Sequence, residues 1–151
     1  MIKIICIGKI KEDFFKEAIK EYQKRLSKYT KIEIIECKDY DIGNIDSIKK
    51  LEGEEILKKI NDKDYVITLE IEGENLTSIE FSKLINDTLT INSNITFIIG
   101  GSYGLDDEVK KRSDYKLSFS KMTFPHQLFR VILLEQIYRA FKIINNESYH
   151  K

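Results

Sequence analysis

Strand-like and helix-like segments alternate along the whole chain, which predicts an α/β fold: a single domain, residues 1–151, built on a parallel sheet flanked by helices. Three observations carry this. The strand-like runs are β-branched and apolar at successive positions, as in the ITFII ending at Ile99, which marks strands covered on both faces. Between them, apolar residues recur at three- and four-residue spacing, the helical period. Two late strand ends then give way to loops marked by glycine or proline. Ligands of open α/β sheets settle in loops of this kind, at the carboxyl ends of strands.

Each element has its reason. Ile2–Ile7 is a mostly apolar, β-branched strand that carries Lys3. Glu12–Lys28 is a helix, because Phe15, Ala18, Ile19, Tyr22 and Leu26 line one face. Lys31–Cys37 is a strand, and the polar, glycine-containing Lys38–Asn44 loop leads to a helix over Ile45–Ile60. Tyr65–Ile71 is a strand that turns acidic at Glu70 and Glu72. Ser78–Leu89 is helical, Ile95–Ile99 a buried strand, Asp106–Arg112 a short polar helix and Tyr115–Phe119 the last strand. The final helix, His126–Ile144, starts directly after Pro125, the chain's one proline. Leu128, Phe129, Val131, Ile132, Leu133, Leu134, Ile137, Tyr138, Ala140 and Phe141 cover nearly its whole circumference. A helix apolar all round is buried on more than one side. Its own sheet covers one side, and a homodimer is the expected cover for the other.

Composition narrows the class. With 42% apolar and 33% charged residues the chain is neither disordered nor a membrane protein. No leader pattern opens it, so a cytoplasmic location is expected. Cys6 and Cys37 are far apart, with no C-x-x-C and only 2 histidines, so no metal site is expected and both thiols read as small hydrophobes. The formal net charge of +0 conceals a segregation: residues 41–108 are strongly acidic, while residues 109–151 carry 9 Lys+Arg against 3 Asp+Glu. The segment with the candidate loops is thus the basic one, and such a surface attracts phosphate-rich partners.

Gly100, Gly101 and Gly104 form a turn in which backbone can approach a ligand closely or take positive φ. The G-x-G-x-x-G spacing of a dinucleotide fold is absent, as is the Gly-Lys-Ser/Thr of a phosphate loop. Leu69 reads as a core strand residue. His126 stands at the start of the last helix, where an imidazole can cap the helix or relay a proton near neutral pH. Glu135 and Arg139 are spaced to pair along one helix face. At the end of the chain Tyr149, His150 and Lys151 combine an aromatic, an imidazole and a cation, a set suited to an unstacked RNA base and its phosphate, although termini commonly fray.

GGSYGL at Gly100–Leu105, LSFSKMTFPHQLFRVILLEQIYRAF at Leu117–Phe141 and the closing YHK resemble the ribosomal RNA large-subunit methyltransferase H family, from the SPOUT class of knotted methyltransferases. The resemblance implies a SPOUT-like sheet with a C-terminal trefoil knot, S-adenosylmethionine as methyl donor, and transfer to N3 of a pseudouridine in 23S ribosomal RNA on the assembled ribosome. It carries Leu69, Gly100, Phe119, Ser120, Lys121, Met122, Thr123 and Phe124 over as cofactor contacts. His126, His150 and Glu135 are the candidates for taking the N3 proton. Arg130, Arg139, Tyr149, His150 and Lys151 are the candidate RNA contacts. A transfer RNA substrate and a non-catalytic ribosome-binding module are the alternatives.

Overall fold

The computed structural model describes residues 1–151 and contains β1 (Ile2–Ile7), α1 (Asp13–Leu26), β2 (Ile32–Cys37), α2 (Ile45–Leu57), β3 (Tyr65–Asn75), α3 (Ser78–Ile91), β4 (Ile95–Ile99), α4 (Asp107–Arg112), β5 (Tyr115–Ser118) and α5 (His126–Ile144). The strands make one sheet in the order β2-β1-β4-β3-β5, parallel throughout. All strand carboxyl ends therefore point the same way.

Alternation along β1 divides the core. Ile2, Ile4 and Cys6 join the larger cluster with α1, α3 and α5, while Ile5 and Ile7 face the smaller one built with α2 and α4. β1 and β4 are buried at every position; their two polar residues, Lys3 and Thr96, are accommodated by donating to the buried Asp64 carboxylate at 3.1 and 3.0 Å. Burial pushes the Cys6 thiol up to about 12 and also raises that of Cys37, which leaves both as inert core groups.

α5 lies between α1 and α3, and this is where much of its apolar excess goes. Leu133, Leu134, Ile137, Tyr138, Ala140 and Phe141 are buried within the chain, while Leu128, Phe129, Val131 and Ile132 remain half-buried. No helix is long and apolar enough to cross a membrane.

Two features near the carboxyl ends depart from the simple strand pattern. β3 runs on to Asn75, but its pairing with β5 shifts register between Leu69 and Glu74, so residues 70–73 bulge out. A Cβ at Gly73 would stand 2.7 Å from the Lys116 carbonyl, so only glycine lets the strand return against β5. After β5, at one edge, the chain crosses towards the opposite side of the sheet: Arg130, in the first turns of α5, donates to the carbonyls of Ile7 and Gly8 at 3.0 and 2.6 Å. Residues 119–125 thus run past the β3 and β4 ends, beside the Gly100–Gly104 turn, a course consistent with the expected knot.

Candidate functional site

The carboxyl ends of β3, β4 and β5 surround a cavity of about 530 Å³, within the range of small-molecule sites. Its floor and walls are apolar: Ile99 from β4, Leu69 from β3, Leu117 from β5, Leu105 from the glycine turn and Phe129 from α5. Phe119 closes one side, packed edge-on against Phe129 with ring centroids 5.0 Å apart, and Phe124 also meets Phe129, at 6.1 Å. Two backbone-rich loops complete it. The turn after β4 is closed by the Gly104 N–H on the Gly101 carbonyl (3.1 Å). The loop after β5 is braced by the Ser118 hydroxyl on the Ser120 carbonyl (3.1 Å) and by the Met122 N–H on the Ser120 hydroxyl (3.0 Å).

Of the residues assigned to cofactor contact, Leu69, Gly100, Phe119, Ser120, Met122, Thr123 and Phe124 all line this cavity. Lys121 does not; it is exposed on the outer side of the same loop. The glycines act differently from one another. Gly104 takes positive φ (85°), which the turn needs. Gly100 is small for want of space, since a Cβ there would lie 3.0 Å from Leu105 Cδ2 and 3.1 Å from the Gly104 carbonyl carbon.

Glu70 and Ile71, from the bulged part of β3, also line the cavity. The Glu70 side chain is 7% exposed, accepts the Thr68 hydroxyl at 2.6 Å and lies 3.9 Å from the Lys110 ammonium. Both Glu70 oxygens therefore face partners of the chain's own, which fixes the bulge against α4. The acidic run after YVITL was the signal for this carboxylate, but nothing in the sequence indicated that the strand would bulge towards the site.

His126 lines the cavity at the first position of α5. It also borders a smaller space of about 50 Å³, together with Asp39, Tyr40, Glu52 and Ser102. Glu52 is 5% exposed; one oxygen accepts the Tyr40 N–H (3.2 Å), whereas Oε1 has no partner and presses beneath Gly101. Burial raises the Glu52 carboxyl, and the neighbouring charge of Asp39 adds to this.

The remaining candidates lie elsewhere. Glu135 Oε1 accepts from Arg139 Nε (3.1 Å) and from the Tyr149 hydroxyl (3.1 Å), the ion pair its spacing predicts. The tail is docked rather than frayed: the Tyr149 ring meets Tyr138 edge-on at 4.9 Å, Arg139 lies over it at 4.7 Å, and His150 Nδ1 is 3.2 Å from Arg139 Nη1. Glu135 and Arg139, which hold the tail, follow His126 on the same helix, about 14 to 20 Å further along its axis at about 1.5 Å per residue. Within one chain the structure therefore does not bring His126 and His150 together. Arg130 requires a correction. It is 2% exposed, its guanidinium held by Glu36 (2.7 Å) and the two β1 carbonyls, so it locks α5 to the sheet instead of facing RNA.

Comparison with known proteins agrees with this geometry. A family described as predicted SPOUT methyltransferases matches residues 1–150. Proteins named ribosomal RNA large subunit methyltransferase H are 56% identical in Clostridium perfringens (strain 13 / Type A) and 58% identical in Clostridium botulinum (strain Kyoto / Type A2), each over 99% of both chains. A solved structure described as a probable methylase family protein from Haemophilus influenzae Rd KW20 shares the fold, with a TM-score of 0.59 at 15% identity, covering 99% of this chain and 70% of that one. The glycine turn, the loop after β5 and the helix behind them are elements of one inherited architecture, and the chain belongs to the SPOUT methyltransferase family.

Proposed function

We propose that this chain transfers a methyl group from S-adenosylmethionine to N3 of a pseudouridine in large-subunit ribosomal RNA, with the assembled ribosome as substrate, in the cytoplasm and as a homodimer. The observation that carries the reading is the cavity itself. It is lined by all but one of the residues that the family resemblance assigns to the cofactor, and the relatives at 56–58% identity are named as large-subunit ribosomal RNA methyltransferases.

The residues present fit the donor. Apolar and aromatic walls suit an adenosine, and loop amides and carbonyls can read its polar edge. When bound, S-adenosylmethionine supplies a methyl group already made electrophilic by its sulfonium. The protein's part is alignment and removal of the N3 proton as the new N–C bond forms. His126 is the assigned candidate that borders the cavity, so it is the first choice for the proton. Glu135 is held by Arg139 and Tyr149, and its part is to fix the tail. A second copy would give that tail a destination, because a tail held about 14 to 20 Å along α5 from its own cavity can serve a partner's.

The test is methyl transfer to ribosomes from cells lacking this protein, with the modified nucleotide mapped by mass spectrometry. N3-methylpseudouridine in the large-subunit RNA is the expected product. Methylation of transfer RNA instead would move the substrate class, and S-adenosylmethionine failing to bind would reduce the protein to a ribosome-binding module.

A further inference from the structure

The fold neutralises most of the C-terminal cations. Lys110, Lys111, Arg112, Arg130, Arg139 and Lys142 each sit within 4.0 Å of a carboxylate. The β1–α1 loop is different. Lys9 and Lys11 are exposed and have no carboxylate partner. Phe14, in the first turn of α1, is 62% exposed and rests against Phe15 with ring centroids 4.5 Å apart. An uncovered aromatic ring beside free cations is the combination that single-stranded nucleic acid uses, one for base stacking and the other for phosphate.

The loop is also fixed in place, and beside the site. The Gly8 N–H donates to the Cys37 carbonyl (2.8 Å), the Ile10 N–H to Glu36 (3.1 Å) and the Lys11 N–H to the Gln127 side chain (3.1 Å). Gln127 follows His126, which lines the cavity. Of the acidic neighbours, Asp13 lies 3.8 Å from Lys16 and Glu36 is paired with Arg130 at 2.7 Å, while neither Glu12 nor Asp39, which stands beside Gly8, comes within 4.0 Å of Lys9 or Lys11.

We propose that the β1–α1 loop holds the RNA at the cavity mouth, with Lys9 and Lys11 on phosphates beside the target nucleotide and the Phe14 ring against a neighbouring unstacked base. This rests on the RNA-substrate reading above. A second copy of the chain is the other occupant an exposed phenyl ring would suit. The lysines favour a polyanion, because a two-fold contact at this loop would bring like charges together.

The experiment measures association with ribosomes from cells lacking this protein over a series of KCl concentrations, alongside calorimetry with S-adenosylmethionine and light scattering. For the Lys9→Gln/Lys11→Gln variant the slope of log K against log[KCl] should flatten by about 1.4, roughly 0.7 for each lost phosphate contact. Phe14→Ala should weaken association about 5- to 150-fold, and Phe14→Tyr should restore it. Cofactor binding should match wild type in all three. An unchanged salt slope in the double lysine variant overturns the proposal. So does a Phe14→Ala protein that changes oligomeric state, since the ring would then be a subunit contact. Ribosome binding that shows the expected slopes without any methyl transfer would defeat the catalytic reading and leave this one standing; a wild-type protein that does not bind ribosomes defeats both.

Discussion

Arg130 and Glu52 show how burial alone reverses the meaning of a charged residue. Arg130 sits on a basic segment next to the candidate loop, and its sequence context suggested an RNA contact; the guanidinium instead ties α5 to the ends of β1 and β2. Arg130→Met should destabilise the fold by about 3 kcal/mol, the low end for breaking a buried pair, because the Glu36 side chain is 35% exposed. Chemical denaturation checks this, and a stable variant whose only defect is weaker ribosome binding would return Arg130 to the RNA surface. Glu52, an acid within α2, is buried with one oxygen unpaired under the Gly101 turn. Burial raises its carboxyl in the folded state, so the folded form binds the proton more tightly than the unfolded chain does. The corresponding stability is fully present below the unfolded carboxyl range and is lost as pH rises through the folded value. Glu52→Gln retains the acceptor for the Tyr40 N–H and removes the ionised form. Its melting temperature should exceed that of wild type at pH 8, and the difference should shrink or reverse at pH 4; an advantage that is constant with pH would mean Glu52 ionisation is not the cause. Gly100 is governed by space instead of charge. Gly100→Val places two methyls against Leu105 and the Gly104 backbone, so the folded variant should lose S-adenosylmethionine binding in calorimetry, and retained binding would place the cofactor elsewhere.

At the scale of elements, the docked tail makes the sharpest prediction. The Tyr149 hydroxyl donates to Glu135, and burial together with that hydrogen bond pushes the phenol up to about 12, so it remains a donor at any ordinary working pH. Tyr149→Phe keeps the ring against Tyr138 and should cost about 0.5–1.5 kcal/mol of stability, the usual worth of one hydrogen bond. Removing residues 148–151 takes the ring contacts as well, so the truncated protein should melt at a lower temperature than the point variant; equal melting points would mean the ring adds nothing to the dock. The elements themselves were largely legible. Mostly apolar, β-branched runs marked β1 and β4, helical spacing marked α1, and Pro125 marked where α5 begins, because these signals are local. β3 ran past its expected end at Ile71, since EIEGEN has no apolar pattern and its path is set by contact with β5, 40 or more residues away in sequence. The tail was illegible for the same reason: its partners Tyr138, Arg139 and Glu135 lie on a helix face that only the fold identifies. Glycine roles divided likewise, with the turn visible at Gly104 but the crowding at Gly100 set by Leu105 folding back over it.

At the scale of the molecule, one chain holds the cavity at the start of α5 and the tail against Glu135 and Arg139, about 14 to 20 Å further along the axis. If both serve one reaction, they must come from different copies. The protein should then scatter light at twice its 17.8 kDa chain mass, and Leu128, Val131 and Ile132 on the half-buried side of α5 are where the second copy would rest. A monomer at micromolar concentration would leave the tail without a site to serve. Mass alone does not decide which chain completes which cavity, but mixing does. One variant, truncated after Glu147, has an intact cavity and no tail; the other, Gly100→Val, has an intact tail and a blocked cavity. Each alone should be inactive on ribosomes. Unfolded together in equal amounts and refolded, half of the dimers are mixed, and if tails act across the two-fold axis each mixed dimer holds one complete site of two. About a quarter of wild-type activity should return. If the tail served its own chain, the mixed dimer would pair an open cavity lacking its tail with a blocked cavity that has one, and no activity would return. Single-turnover methylation by the mixture reads out the difference, with S-adenosylmethionine binding confirming that the truncated partner's cavity is formed.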